Sequence, residues 1–240
     1  MAKKNSARNE RRAVVEQMRK EQARKERMRG LIILGVSIGV VIGLLTAALV
    51  PYVQDRSRKK ELEGLAIEKL GAAESSAGCQ DRKIVDATGG GDHKQIGTPI
   101  QYDAAPPAYG PHWPNFPVGV EIRNFYNTED RPEVERLVHS LEHGHTIVWY
   151  DDTVKPGTQS YDQLQAIAKK FKAEDYFMAA PWRESDGEAF PEGTHVALTH
   201  WTGPEKQQGI TQYCAKPSGA VIKAFMKDYD KMNTPEPGAA

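Results

Sequence analysis

Several things are scarce or missing in this chain. There are only two cysteines in 240 residues, Cys79 and Cys214. If they pair, no thiolate is left to hold a metal ion. No internal repeat is visible, and no nucleotide or flavin signature. Nothing supplies a nucleophile–base pair: Ser140 follows His139 in sequence, but adjacent residues point apart on a helix. Net charge is also absent, since 32 Lys and Arg balance 32 Asp and Glu. That balance hides an asymmetry. Residues 1–29 carry eleven Lys and Arg against four Glu, and residues 77–240 carry sixteen against twenty-three acidic residues. The basic segment ERRAVVEQMRKEQARKERMRG alternates Glu with Lys and Arg at helical spacings. It lacks the interleaved aromatics that nucleic-acid binding favours, and it suits contact with anionic lipid head groups.

Charge is missing altogether from GLIILGVSIGVVIGLLTAALV, residues 30–50. Twenty-one helical residues span roughly 30 Å, the hydrocarbon thickness of a bilayer. The run reads as one transmembrane helix. Residues 15–29 hold six Lys and Arg and residues 51–65 hold four, which predicts a cytoplasmic N-terminus and an extracytoplasmic body. A cleaved signal peptide is the alternative, with Arg11-Arg12 hinting at a twin-arginine signal. Against it, the run is longer than an ordinary signal core of roughly 7–15 residues. Thr46-Ala47-Ala48 is a poor cleavage site, and no lipobox cysteine follows.

The expected organisation is a basic cytoplasmic helix over 1–29, a transmembrane helix over 30–50 and a polar stalk over 51–76. An extracytoplasmic domain over 77–235 and a loose tail over 236–240 complete it. Outside the membrane disulfides persist, so Cys79 and Cys214 are expected to bridge the two ends of the domain. Two buried thiols are the plainer alternative.

Within the domain, residues 78–103 read as short strands broken by glycine turns. The stretch AAPPAYGPHWPNFP has too many prolines for a regular element and forms a rigid loop. EVERLVHSL predicts a short helix and HTIVWY a strand. GTQSYDQLQAIAKKFK places Leu164, Ile167, Ala168 and Phe171 on one helical face. DYFMAAPW and THVALTHW predict strands, and SGAVIKAFMKDYDKM a closing helix. The order β-loop-α-β-α-β-β-α implies a mixed α/β (α+β) single domain, preceded by one transmembrane helix.

Three of the seven histidines fall within RLVHSLEHGHTIVWY, residues 136–150. His139 and His143, four apart on a helix, share a face and can reach one metal. In an extended segment His143 and His145 would share a face instead. His139-Ser140-Leu141-Glu142-His143 also fits the inverzincin pattern H-x-x-E-H, but three fixed positions match often by chance. His112 in the proline-locked loop and His93 in GGGDHKQIG are further candidates. Histidines that tie loops to the core through hydrogen bonds are the competing reading.

HKQIGTPIQYDAAPPAYGPHW, LVHSLEHGHTIVWY, VALTHW and AFMKDYDKMNTPEP together resemble the bacterial domain-of-unknown-function family 3105 (DUF3105), over roughly residues 78–237. The family's loop is similar to P-P-T-S-G-P-H and its centre to V-H-N-L-E-H-G. The resemblance implies a membrane anchor, one extracytoplasmic domain and a shared site at His93, Tyr102, His112, His139, Glu142 and His143. This chain departs from the pattern at Ala108-Tyr109 and at His200, and His145 and His195 lie outside it, so those three histidines are weaker candidates.

The expected ligands are His93, His112, His139 and His143. Glu142 and Tyr102 serve as further ligands or hydrogen-bond to the ligands and orient them. Such nitrogen and oxygen donors suit copper(II) or zinc(II), and copper binding or buffering is the leading expectation, with no catalysis. Met178 is a thioether that would assist copper(I). An accessory subunit of a larger membrane complex, respiratory for example, is the alternative, with Gly35, Gly39 and Gly43 forming a small-residue stripe for helix packing.

Overall fold

The structure is a computed structural model that describes residues 2–203 and 205–238, with side chains described from residue 12 onward. Part of the expected basic helix and the end of the expected tail therefore lie outside the described residues. The chain divides into two compact units, Met1–Arg58 and Lys59–Ala240.

The first unit is helical. Helix α1 (Ala2–Gly64) continues without a break through the basic segment and the apolar run, with Pro51 inside it. It contains one stretch long and apolar enough to cross a membrane. A helix satisfies each peptide group of such a run internally, as a membrane span would require.

The second unit is an α+β domain around a five-stranded sheet, β1 (Lys83–Asp86), β2 (Thr146–Tyr150), β3 (Phe177–Pro181), β4 (Val196–Thr202) and β5 (Gln208–Cys214). The order is β1-β5-β4-β2-β3. β2 and β3 are parallel and the other pairs antiparallel. Helix α2 (Val134–Glu142) precedes β2, α3 (Gln159–Ala168) crosses from β2 to β3, and α4 (Gly219–Asp228) closes the domain.

All five residues of β2 are buried, as a central strand covered on both faces requires. Its side chains alternate between two cores. Val148 and Tyr150 join Leu164 and Ile167 of α3 and Phe225 of α4. Ile147 and Trp149 join Leu137, Val138 and Leu141 of α2 and Trp201 of β4. Each fully buried Leu or Ile contributes about 1.5–3 kcal/mol. Hydroxyl caps start the two longer helices of the domain: Thr158 accepts from the Tyr161 amide and Ser218 from the Val221 amide, each at 3.3 Å. Cys79 and Cys214 form a disulfide across 135 residues.

Four sequence expectations need correction. The expected order contains no strand at 208–214. QGITQYC lacks a clear apolar alternation, and Gly209 sits there because the Tyr109 ring would lie 2.3 Å from a Cβ. The region 78–103 holds one regular strand, β1, and the remainder is loop. The stalk over 51–76 is not a linker throughout. The compact unit begins at Lys59, Leu70 is fully buried, and Ile67 and Ala72 pack on the same core. The start of the tail is tied down: the Glu236 amide donates to the Glu142 carbonyl at 3.1 Å, next to Thr234, whose hydroxyl donates to the carbonyls of Leu141 at 3.1 Å and Glu142 at 2.8 Å.

Candidate metal centre

The site lies where α2 ends against the proline-rich loop. Helix α2 stops at Glu142 because Gly144 turns left-handed (φ 96°). The Lys231 carbonyl would stand 2.1 Å from any Cβ at Gly144, so close approach and backbone conformation both demand glycine there. The helix therefore presents His139 and Glu142 at its last turn, both buried.

Two further histidines come from loops. His93 and His112 face each other in an isolated parallel bridge, closed by Lys94 N–H to His112 C=O at 2.8 Å and His112 N–H to Asp92 C=O at 3.1 Å. The His112 ring lies 4.6 Å from that of His139 and 4.8 Å from that of His93. His93, His112, His139 and Glu142 each bring a ligand atom within 4.8 Å of all the others. From Glu142 Oε2 the Nε2 atoms stand at 3.0 Å (His112), 3.8 Å (His93) and 3.9 Å (His139).

The tautomers follow from the backbone. His112 Nδ1 lies 2.8 Å from the Gly110 carbonyl, and His139 Nδ1 lies 2.7 Å from the Trp113 carbonyl. A carbonyl only accepts, so both Nδ1 atoms carry the proton. In the neutral ring each Nε2 is then a lone pair aimed at Glu142. His112 Nε2 and Glu142 Oε2 are buried without a hydrogen-bond partner among the described residues. At 3.0 Å they are close, but off the line that a hydrogen bond needs.

The charge states fit. Burial, with His112 and His143 nearby, pushes His139 down to about 4, so its imidazole is neutral at pH 7. Burial alone would raise the Glu142 carboxyl. Positive charge on the imidazoles of His112, His139 and His93, with hydrogen bonding from a protonated His112, is what outweighs burial and holds it below its ordinary value. The site is thus a carboxylate facing three converging imidazole Nε2 atoms, a set that favours positive charge beside Glu142. Glu142 is also the last residue of α2, where the helix dipole adds partial negative charge. The carboxylate and the helix end both favour a cation.

His143 stands beside this cluster. Its ring is 4.7 Å from that of His139, but its Nδ1 faces the tail, 3.3 Å from the Glu236 carbonyl and 3.9 Å from the Glu236 carboxylate. Phe116 covers both rings, at 4.9 Å from His139 and 4.6 Å from His143. The Tyr102 hydroxyl donates to the Pro111 carbonyl at 2.9 Å, and burial pushes the phenol far above its ordinary value. It braces the loop that carries His112 and is not available as a phenolate ligand. Met178 is fully buried among the core residues of β3.

The histidines outside the family pattern hold structure together. His145 Nδ1 donates to the Ser140 carbonyl at 3.1 Å. His200 is fully buried, with Thr146 Oγ1 at 3.3 Å and the Asn233 carbonyl at 3.3 Å. His195 pairs with Asp151 at 2.8 Å. Two residues at the centre carried no signal in the sequence reading. Gly91 lies where a Cβ would come 2.6 Å from Glu142 Oε1, and its place in a run of three glycines was the available hint. Glu236 reaches the site from the chain's far end, and nothing in local pattern points to it.

Fold and site together define an α+β domain, preceded by a long apolar helix, that carries a buried three-histidine, one-glutamate cluster able to hold a metal ion. Residues 93–240 match the family described as protein of unknown function (DUF3105), and the chain belongs to that family. The match begins at His93 and so contains the whole cluster, while Cys79 and β1 lie outside it. Comparison with curated proteins and with solved structures gives no match.

Proposed function

We propose that this protein is a membrane-anchored, extracytoplasmic binder of a divalent transition metal, zinc or copper, at His93, His112, His139 and Glu142. One observation carries the reading: two buried acceptor atoms, His112 Nε2 and Glu142 Oε2, face each other at 3.0 Å. With a neutral His112 and no cation between them the contact is repulsive, and each atom then bears the cost of an unsatisfied buried polar group, about 1–3 kcal/mol. Three imidazoles and one carboxylate suit zinc(II) or copper(II) better than copper(I). A tetrahedral ion with bonds of about 2.0–2.1 Å needs donors roughly 3.3 Å apart. The His93 side chain is 47% exposed and sits on a loop, so it is the ligand free to swing inward. The Nδ1 bonds of His112 and His139 supply the outer-shell support that metal-bound histidines ordinarily have.

The uncharged helical run over 30–50 supports a single-pass anchor with the bilayer as partner. The Lys and Arg bias supports a cytoplasmic N-terminus. The Cys79–Cys214 disulfide supports an oxidising compartment for the domain.

The test is metal analysis of the full-length chain in detergent, after incubation with zinc or copper and desalting, beside His112→Ala/His139→Ala. Circular dichroism on both checks folding. Retained metal in the wild type and none in a folded double variant is the expected result. No metal in either would overturn the reading.

A further inference from the structure

Glu142 belongs to two ligand groups. Besides the cluster with His93, His112 and His139, it forms a second group with His143 and Glu236, whose ligand atoms also lie within 4.8 Å of one another. We infer that the centre is dinuclear: Glu142 bridges two metal ions, the first held by His93, His112 and His139, the second by His143 and Glu236. This inference rests on the metal-binding reading above and extends it.

Three observations carry it. Glu142 is 5% exposed, and its Oε2 is buried without a hydrogen-bond partner among the described residues. A carboxylate has two oxygens, and one bound to each ion satisfies both. Next, His139 and His143 lie one turn apart, with ring centroids 4.7 Å apart. Ligands from consecutive turns of one helix can serve two neighbouring ions, which in two-metal sites stand about 3.5–4 Å apart.

Finally, Glu236 is placed rather than trailing. Its amide donates to the Glu142 carbonyl at 3.1 Å, Thr234 binds the same carbonyl at 2.8 Å, and Pro235 packs so tightly on Gly203 that a Cβ there would meet its nitrogen at 2.6 Å. The backbone of the tail fixes the Glu236 carboxylate beside His143, although the side chain itself is 55% exposed. Charge agrees: the two carboxylates offset part of the charge of two dications, and the imidazoles supply nitrogen donors. The second ion, with only three protein ligands, would complete its shell with water or substrate oxygen. Its donors, one nitrogen and two carboxylates, are harder than those of the first site.

The experiment is zinc analysis of the full-length chain in detergent, wild type beside Glu236→Gln, after loading and desalting. Two equivalents in the wild type and one in Glu236→Gln are expected. Glu236 is exposed on its side-chain end, so the substitution leaves the core intact. Copper(II) supplies a readout that needs no variant. The first equivalent should give a full mononuclear paramagnetic resonance signal, and the second should lower the integrated spin through coupling across Glu142.

One equivalent in both proteins would overturn the second site and leave the mononuclear reading standing. Two equivalents in both proteins, or a spin count that doubles with the second copper, would place the second ion elsewhere and overturn it too. No metal in either would remove the underlying metal-binding reading itself.

Discussion

Replacing Glu142 by glutamine should abolish metal binding and, at the same time, make the metal-free protein more stable. The two effects have one origin. The buried Glu142 carboxylate faces His112 Nε2 at 3.0 Å and sits at the negative end of α2, and the opposed-acceptor reading takes that nitrogen as a lone pair. Glutamine has nearly the same shape, and its amide can donate to His112 Nε2. The change removes an unpartnered buried acceptor, an effect of about 1–3 kcal/mol. For a unit of this size each kcal/mol moves the melting temperature by about 2–4 °C, so Tm should rise by roughly 2–12 °C. The assay is thermal unfolding of chelator-treated full-length protein at pH 7.5, wild type beside Glu142→Gln, with zinc retention measured on the same samples. A different chemistry predicts the opposite sign. If His112 were a buried imidazolium paired with Glu142 for structural reasons, removing one partner would cost about 3–5 kcal/mol. A clear fall in Tm on substitution would therefore refute the reasoning from opposed acceptors, and with it the main support for a metal site.

Gly91→Ala should weaken metal binding without unfolding the domain, because its Cβ would come 2.6 Å from Glu142 Oε1, the movable end of a side chain; a zinc titration against a competing chelator reads this, and unchanged affinity would separate Glu142 from the bound ion. Acid should destabilise the domain through His145 and His200, each pushed by burial from the ordinary 6.5 down to about 4. The unfolded chain then binds protons more readily, so stability is complete above about pH 6.5 and is lost as pH falls towards 4, by about 3 kcal/mol per histidine at most; denaturant melts at pH 7.5 and 4.5 should show this loss shrinking in His145→Gln/His200→Gln. Reducing the Cys79–Cys214 disulfide, which closes a loop of 135 residues, should cost about 5 kcal/mol on the chain-entropy account; a melt unmoved by a reductant that demonstrably opens the bond would contradict that account.

Legibility in the sequence follows the range of the interaction. The apolar run of α1, the buried strands β2 and β4, and the faces of α3 and α4 are written in local periodicity, so they are readable from a window of residues. His139 and His143 are readable as a pair for the same reason. β5 was not readable, because its Gly209, Gln212 and Thr211 are fitted to neighbours such as Tyr109 rather than to a pattern of their own. The stalk's second half is misleading because it is polar on average, yet Leu70 is fully buried and Leu65, Ile67 and Ala72 pack on the same core. The site was half legible. Its residue types stood out, but their convergence depends on the pairing of His93 with His112 and on a tail that returns some 93 residues later to bind α2. No periodicity encodes contacts of that range.

The proline-rich loop then acquires a second role. Its rigidity is visible in the sequence, and the obvious use is to fix His112. The structure adds that the carbonyls of Gly110 and Trp113, both on this loop, accept from His112 and from His139 on α2. One loop therefore contributes a ligand and sets the tautomer of a ligand on a different element. A flexible loop could do the first but not the second, since a wandering carbonyl would let the imidazole present either nitrogen. Prolines at 106, 107, 111, 114 and 117 restrict that motion through fixed φ angles, and Tyr102 pins the Pro111 carbonyl from below. The stiffness of the loop and the inward direction of both lone pairs are thus parts of one arrangement, and the buried charge of Glu142 is what that arrangement is built to face.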